Sequence, residues 1–111
     1  MATLARGGPT AVLTTTATSY VAAGTNEAVI LSRVNLYNSD TVSRTVTIHR
    51  VPTAGSATTS NIIYFGAISP GETLSPNLPG LILDNGDALY AKADAASVVN
   101  IDLNYTVASQ A

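Results

Sequence analysis

A chain of 111 residues, 46% hydrophobic and 11% charged, is long enough for one domain with its own core and too short for two. Five basic residues against seven acidic ones leave a formal charge of −2, which excludes the clustered cationic surface that nucleic-acid binding requires. With no cysteine and one histidine, His49, the chain lacks disulfides, thiolate catalysis, Cys-ligated zinc and His-pair metal sites, so neither an enzyme nor a cofactor is expected.

In chain order, the first segment, Met1–Pro9, reads as an extended arm with Gly7-Gly8-Pro9 as its joint. Its arginine follows the short apolar stretch and no long apolar run comes after, so no secretion leader is read and synthesis in a cytoplasm is expected. No run approaches the ~20 apolar residues of a membrane helix, so a membrane is not an expected partner. Residues 10–107 then read as a single all-strand domain, and 108–111 as a short, small and polar tail.

Within the domain, apolar residues alternate with polar ones, and β-branched residues are common. Ala11–Val21 is threonine-rich, with Thr14, Thr16 and Thr18 on one polar face. Glu27–Tyr37 places Ala28, Ile30, Val34 and Leu36 on one side and Arg33 and Asn35 on the other. In Val42–Val51, Val46 and Ile48 point inward and Thr45, Thr47 and His49 outward. Asn61–Ser69 holds a continuous apolar run, Ile62 to Phe65, as expected of a strand covered on both faces. Short strands follow at Glu72–Leu74, Leu78–Leu83 and Ala88–Ala93. Val98–Val107 has the clearest alternation, with Val99, Ile101, Leu103, Tyr105 and Val107 on one face. Turn residues separate these segments, notably Pro52 to Ser60, Pro70-Gly71 and Asp84-Asn85-Gly86-Asp87. Asn85-Gly86 suits a type I′ turn. About eight short strands with such punctuation predict an antiparallel two-sheet β-sandwich, jelly-roll or immunoglobulin-like.

The chemical motifs are sparse. His49, placed mid-strand among threonines, reads as an exposed structural histidine and not as the base of a nucleophilic triad. Asp84-Asn85-Gly86-Asp87 offers oxygen ligands at a turn, but it lacks the later Glu of an EF-hand and reads as a plain hairpin turn. Tyr20, Tyr37, Tyr64, Tyr90, Tyr105 and Phe65 are spread along the chain with few basic residues among them, and no basic cluster. They read as core or subunit-interface aromatics. The low charge carries more information. Sandwiches usually guard their edge strands with lysine, yet this chain has a single lysine, Lys92. A neutral surface of Thr, Ser, Asn and Ala suits a protein whose flanks are covered by copies of itself or by a larger assembly.

One resemblance rests on the order of several segments. These are the opening Tyr20-Val21-Ala22-Ala23-Gly24-Thr25-Asn26-Glu27, then Leu31 to Asn38 and Arg44 to Pro52. They continue with Ile68-Ser69-Pro70-Gly71-Glu72-Thr73-Leu74, Leu81 to Ala93 and Val98 to Leu103. Its most specific part is Pro-Gly-Glu-Thr followed by Asn-Gly-Asp-x-(apolar)-x-Ala. In this order the chain resembles small β-sandwich virion structural proteins of tailed bacteriophages. The resemblance implies a virion location and a capsid decoration (cement) role, with the chain binding across major capsid protein subunits as a homotrimer. A tail, fibre or head–tail connector component, able to bind a host surface, is the alternative. A carbohydrate-active enzyme or free lectin is a third and weaker reading. The residues expected to meet the partner are Leu4, Arg6, Pro9, Pro52, Ser56, Pro70, Pro76, Pro79 and Tyr105.

Overall fold

The computed structural model describes the backbone of residues 3–76, 78 and 81–109, and the side chains of 11–76, 78 and 81–108. Nine strands are formed among the described residues: β1 (Thr3–Val12), β2 (Thr18–Ala22), β3 (Glu27–Asn38), β4 (Arg44–Val51), β5 (Ile62–Ile68), β6 (Thr73–Leu74), β7 (Ile82–Asp84), β8 (Ala88–Ala93) and β9 (Val99–Ser109). One sheet runs β1-β9-β3-β6, with β7 also paired to β3; the other runs β2-β8-β4-β5. All the pairings are antiparallel. First pairs with last, second with next to last, and β4 with β5, like one long hairpin wound on itself. That nesting is the jelly-roll order, and it decides between the two sandwich topologies left open by strand spacing.

Side-chain alternation builds the core. Val99, Ile101 and Leu103 of β9 lie beside Val34 and Leu36 of β3, facing Val46 and Ile48 of β4 and Leu89 and Ala91 of β8, all of them buried. The expected inward face of β9 is therefore the observed one, with Tyr105 and Val107 packed at its margin.

Four readings of the sequence change. First, residues 3–9, expected as a free arm, belong to β1, which pairs with β9 from Thr3↔Ala108 to Val12↔Asn100. The register slips between Gly7 and Thr10, so Gly8 and Pro9 together oppose one residue of β9. A bulge on an edge strand is where a residue without an N–H is tolerated. Ala108 and Ser109, read as part of the tail, likewise end β9. Second, Ala11–Val21 is not one strand: it holds the end of β1, a corner at 13–17 between the two sheets, and most of β2. Thr14 and Thr18 each donate a hydroxyl hydrogen bond to the Thr16 carbonyl at 2.9 Å, and Leu13 is buried beneath them. Local hydroxyl-to-backbone bonds of this kind compete with the ladder.

Third, β3 does not keep one parity. Arg33 pairs with Asn104 and Leu31 with Tyr105, leaving Ser32 as an extra residue. The bulge turns Val29 and Leu31 inward and Ile30 outward, where it is 42% exposed. Fourth, Asn85 (φ 33°) and Gly86 (φ 94°) have the positive φ expected of a type I′ turn, and the Asp87 N–H donates to the Asp84 carbonyl at 2.9 Å. The turn closes no hairpin, however, because β7 and β8 lie in different sheets. It is one corner of a knotted end. The Thr53 hydroxyl donates to the Asn85 carbonyl, while Asp87 accepts from Thr53 N–H and from Arg50. Arg50 also donates to the Ile82 carbonyl, so it bridges the two sheets.

The other end is held by Asn38, which is fully buried. Its amide donates to the carbonyls of Val42 and Ile68, and its side-chain oxygen accepts from Asp40 N–H, all at 2.9 Å. One side chain thus fastens β3 of one sheet to β5 of the other.

Candidate interaction face

The outer face of the four-stranded sheet carries the distinctive surface. Its rows follow from register. Thr47 sits between Lys92 of β8 and Phe65 of β5, and His49 between Tyr90 and Ile62. Two shallow depressions, of about 400 and 380 Å³, share Thr47, Phe65 and Lys92. The first extends to Thr15, Thr45 and Asp94; the second to Ala17, His49 and Ile62. Phe65 is 68% exposed. The apolar run of β5 is expected to be covered on both faces, but β5 is an edge strand, and among the described residues no second layer covers its outward side chains.

His49 corrects another expectation. It lies on the outer face as predicted, yet only 5% of it is exposed. The loop 52–60 folds back over it and ends in a 3-10 turn at Thr59–Asn61. Asn61 donates through Nδ2 to the Ser56 carbonyl and accepts the Thr58 N–H at Oδ1, which fixes its amide orientation. His49 Nδ1 is 3.0 Å from the Thr58 carbonyl and 2.9 Å from Asn61 Oδ1. Both are acceptors, so Nδ1 carries the proton. Nε2, on the opposite side of the ring, is buried without a partner. This histidine is an anchor for a loop.

Charges are few and mostly engaged. Arg44 donates from Nε to Asp40 at 2.8 Å, and Thr41 N–H donates to the same carboxylate at 2.7 Å. The Arg44 hydrogen bond first, then that of Thr41, holds the Asp40 carboxyl below its ordinary range. Arg44 also reaches Asp94, at 3.8 Å, at the rim of the larger depression. Among the described residues Lys92 has no ion pair, and no group of three or more His, Asp or Glu side chains could hold a metal ion. The face offers an aromatic ring, methyl groups, threonine hydroxyls and one ammonium group.

The residues picked from sequence do not converge. Pro52 and Ser56 lie in the loop over His49, whereas Pro70 sits at the opposite end of β5, in a turn where Glu72 N–H donates to the Ser69 carbonyl. Pro76 lines a small recess of about 30 Å³ with Leu31 and Leu78 on the other sheet. Tyr105 is half-buried opposite Leu31. Leu4, Arg6 and Pro9 lie on β1, with side chains outside the described atoms, and Pro79 lies outside the described residues. Phe65, which the sequence reading places only among core or subunit-interface aromatics, lies on this face with Ile62, Thr47 and Lys92, none of which it assigns to a partner. The signal for Ile62 and Phe65 is the absence of any charged residue from Val51 to Gly71, which leaves β5 without the usual edge guards.

No protein-family model matches the chain, and neither a curated protein nor a solved structure is significantly similar to it.

Proposed function

We propose that this chain is a virion structural protein that decorates a tailed-bacteriophage head, binding across major capsid protein subunits and reinforcing their seams. The observation that carries this reading is a charge-poor jelly roll with an unguarded edge strand and a ring, Phe65, that is 68% exposed on it. A lone sandwich with such an edge is prone to edge-to-edge association. In a lattice the same edge is covered. The jelly roll is also shared by viral capsid domains, though it serves lectins and cupins as well, so that support is analogy of fold. Each contact would be modest, at about 25 cal/mol per Å² of apolar surface covered, and many copies acting together would resist internal pressure.

The test is heat release of DNA from particles assembled with and without this chain. Particles lacking it are expected to release DNA at a lower temperature, and equal release temperatures would refute the cement role. Copy number separates the head from the tail or connector alternative. A number that matches the head lattice supports decoration, whereas a few copies per particle would move the chain to the tail or neck.

A further inference from the structure

We infer that the free edge of β5 pairs with β5 of a second copy of this chain, antiparallel about Gly66, so that two four-stranded sheets become one continuous sheet. The direction of the backbone groups comes first. Asp94 N–H donates to the Thr45 carbonyl at 3.1 Å, so the Thr45 carbonyl is turned toward β8. Backbone groups alternate sides along an antiparallel strand. Val46 therefore turns its own toward β5, and its partner Gly66 turns back toward β4. Phe65 and Ala67, on either side of Gly66, must then direct N–H and C=O groups to the open edge.

A twofold axis at Gly66 places Phe65 of each copy opposite Ala67 of the other, and each of these pairs exchanges both backbone hydrogen bonds. Gly66 meets Gly66 of the second copy in the close, non-hydrogen-bonded position, where strands approach to about 4.5 Å between Cα atoms, and on the face away from Phe65 the Tyr64 ring of each copy lies over its own Gly66. Phe65 and Ala67 share the outer face, because their β4 partners Thr47 and Thr45 do. Each exposed ring thus lies across a methyl group, large against small on both sides of the axis.

Electrostatics permits the pairing. No charged residue lies between Arg50 and Glu72, so a twofold seam brings no like charges together, and no proline interrupts Ile62–Ile68. The same match is made twice by one sequence, which favours a second copy over an unrelated strand. A seam of this kind makes pairs, in place of the threefold association that the resemblance implies.

The experiment uses the full chain in isolation, by sedimentation equilibrium and light scattering, beside Ala67→Pro and Phe65→Lys. Proline at residue 67 removes a donor that faces away from β4, so the fold should tolerate it. The wild-type chain is expected to dimerise. Each variant should raise the dissociation constant at least about tenfold while its far-UV circular dichroism is unchanged. If Ala67→Pro does not fold, Phe65→Lys decides, because that side chain is exposed. The register is read by mixing Phe65→Cys and Ala67→Cys chains under mild oxidation, which should favour the mixed disulfide. A wild-type chain that stays monomeric, variants that dimerise undiminished, or a preference for like-with-like disulfides would each overturn the inference. No particle enters this assay, so its outcome is separate from that of the decoration reading.

Discussion

Replacing Asn38 by alanine tests how the two sheets are fastened. Asn38 is fully buried and makes three side-chain hydrogen bonds, to the Val42 and Ile68 carbonyls and from Asp40 N–H. Each is worth about 1 kcal/mol net. Ile68 is itself 2% exposed, so its carbonyl loses a donor where water does not easily replace it, adding roughly another 1–2 kcal/mol. The expected loss is about 4–5 kcal/mol, a large share of the ~5–15 kcal/mol that holds a domain together. Urea denaturation followed by circular dichroism measures it as a fall in midpoint with little change in slope. Asn38→Asp separates hydrogen bonding from volume. It is nearly isosteric, but it sets a carboxylate against two carbonyls, so it should destabilise at least as much as alanine at neutral pH. Ser39→Ala, which removes an exposed hydroxyl bond to the Val98 carbonyl, serves as control and should lose less than about 1 kcal/mol. An Asn38→Ala variant as stable as the control, or an Asn38→Asp variant near wild type, would refute the clamp.

Two further outcomes are expected. A Cβ on Gly86 would lie 2.6 Å from the Thr53 hydroxyl oxygen, at a φ of +94°, so Gly86→Ala should lower stability by about 1–3 kcal/mol. Thermal denaturation reads this loss, and part of it should return when Thr53 is also replaced by alanine. Asp40 has its folded-state pKa lowered by Arg44, so its contribution to stability is complete above the ordinary value of 3.8 and is lost as pH falls below that. Stability measured against pH should therefore fall less steeply in the acid range for Asp40→Asn than for wild type; identical slopes would remove Asp40 from the acid response.

Particular elements show where sequence reasoning succeeds and where it stops. β9 and β8 were readable because both are central strands with one face on the core, and alternation reports such a face directly. The strand β3 was half readable, since the bulge at Ser32 reverses the parity on which the reading depends and leaves no mark in a pattern of apolar residues. For β5 the composition was clear and the inference from it reversed. An apolar run suits a doubly covered strand, but here it lies at an edge, and which strands lie at edges follows from long-range pairing. The grouping of residues on the outer face of the four-stranded sheet was not readable for the same reason. Phe65, Thr47 and Lys92 come from three strands, far apart along the chain, and only their register makes them neighbours.

From its residues alone the chain is an all-β domain with few charges, a turn of positive φ at Asn85-Gly86 and an inward face on β9. These are local properties, dictated by side-chain period, by backbone freedom at glycine and asparagine, and by composition. The nesting of nine strands into a jelly roll, the burial of His49 beneath its loop, the clamp at Asn38 and the bare edge of β5 were decided in three dimensions. Each depends on which distant segments come to lie side by side, a choice made by the summed burial of the whole core.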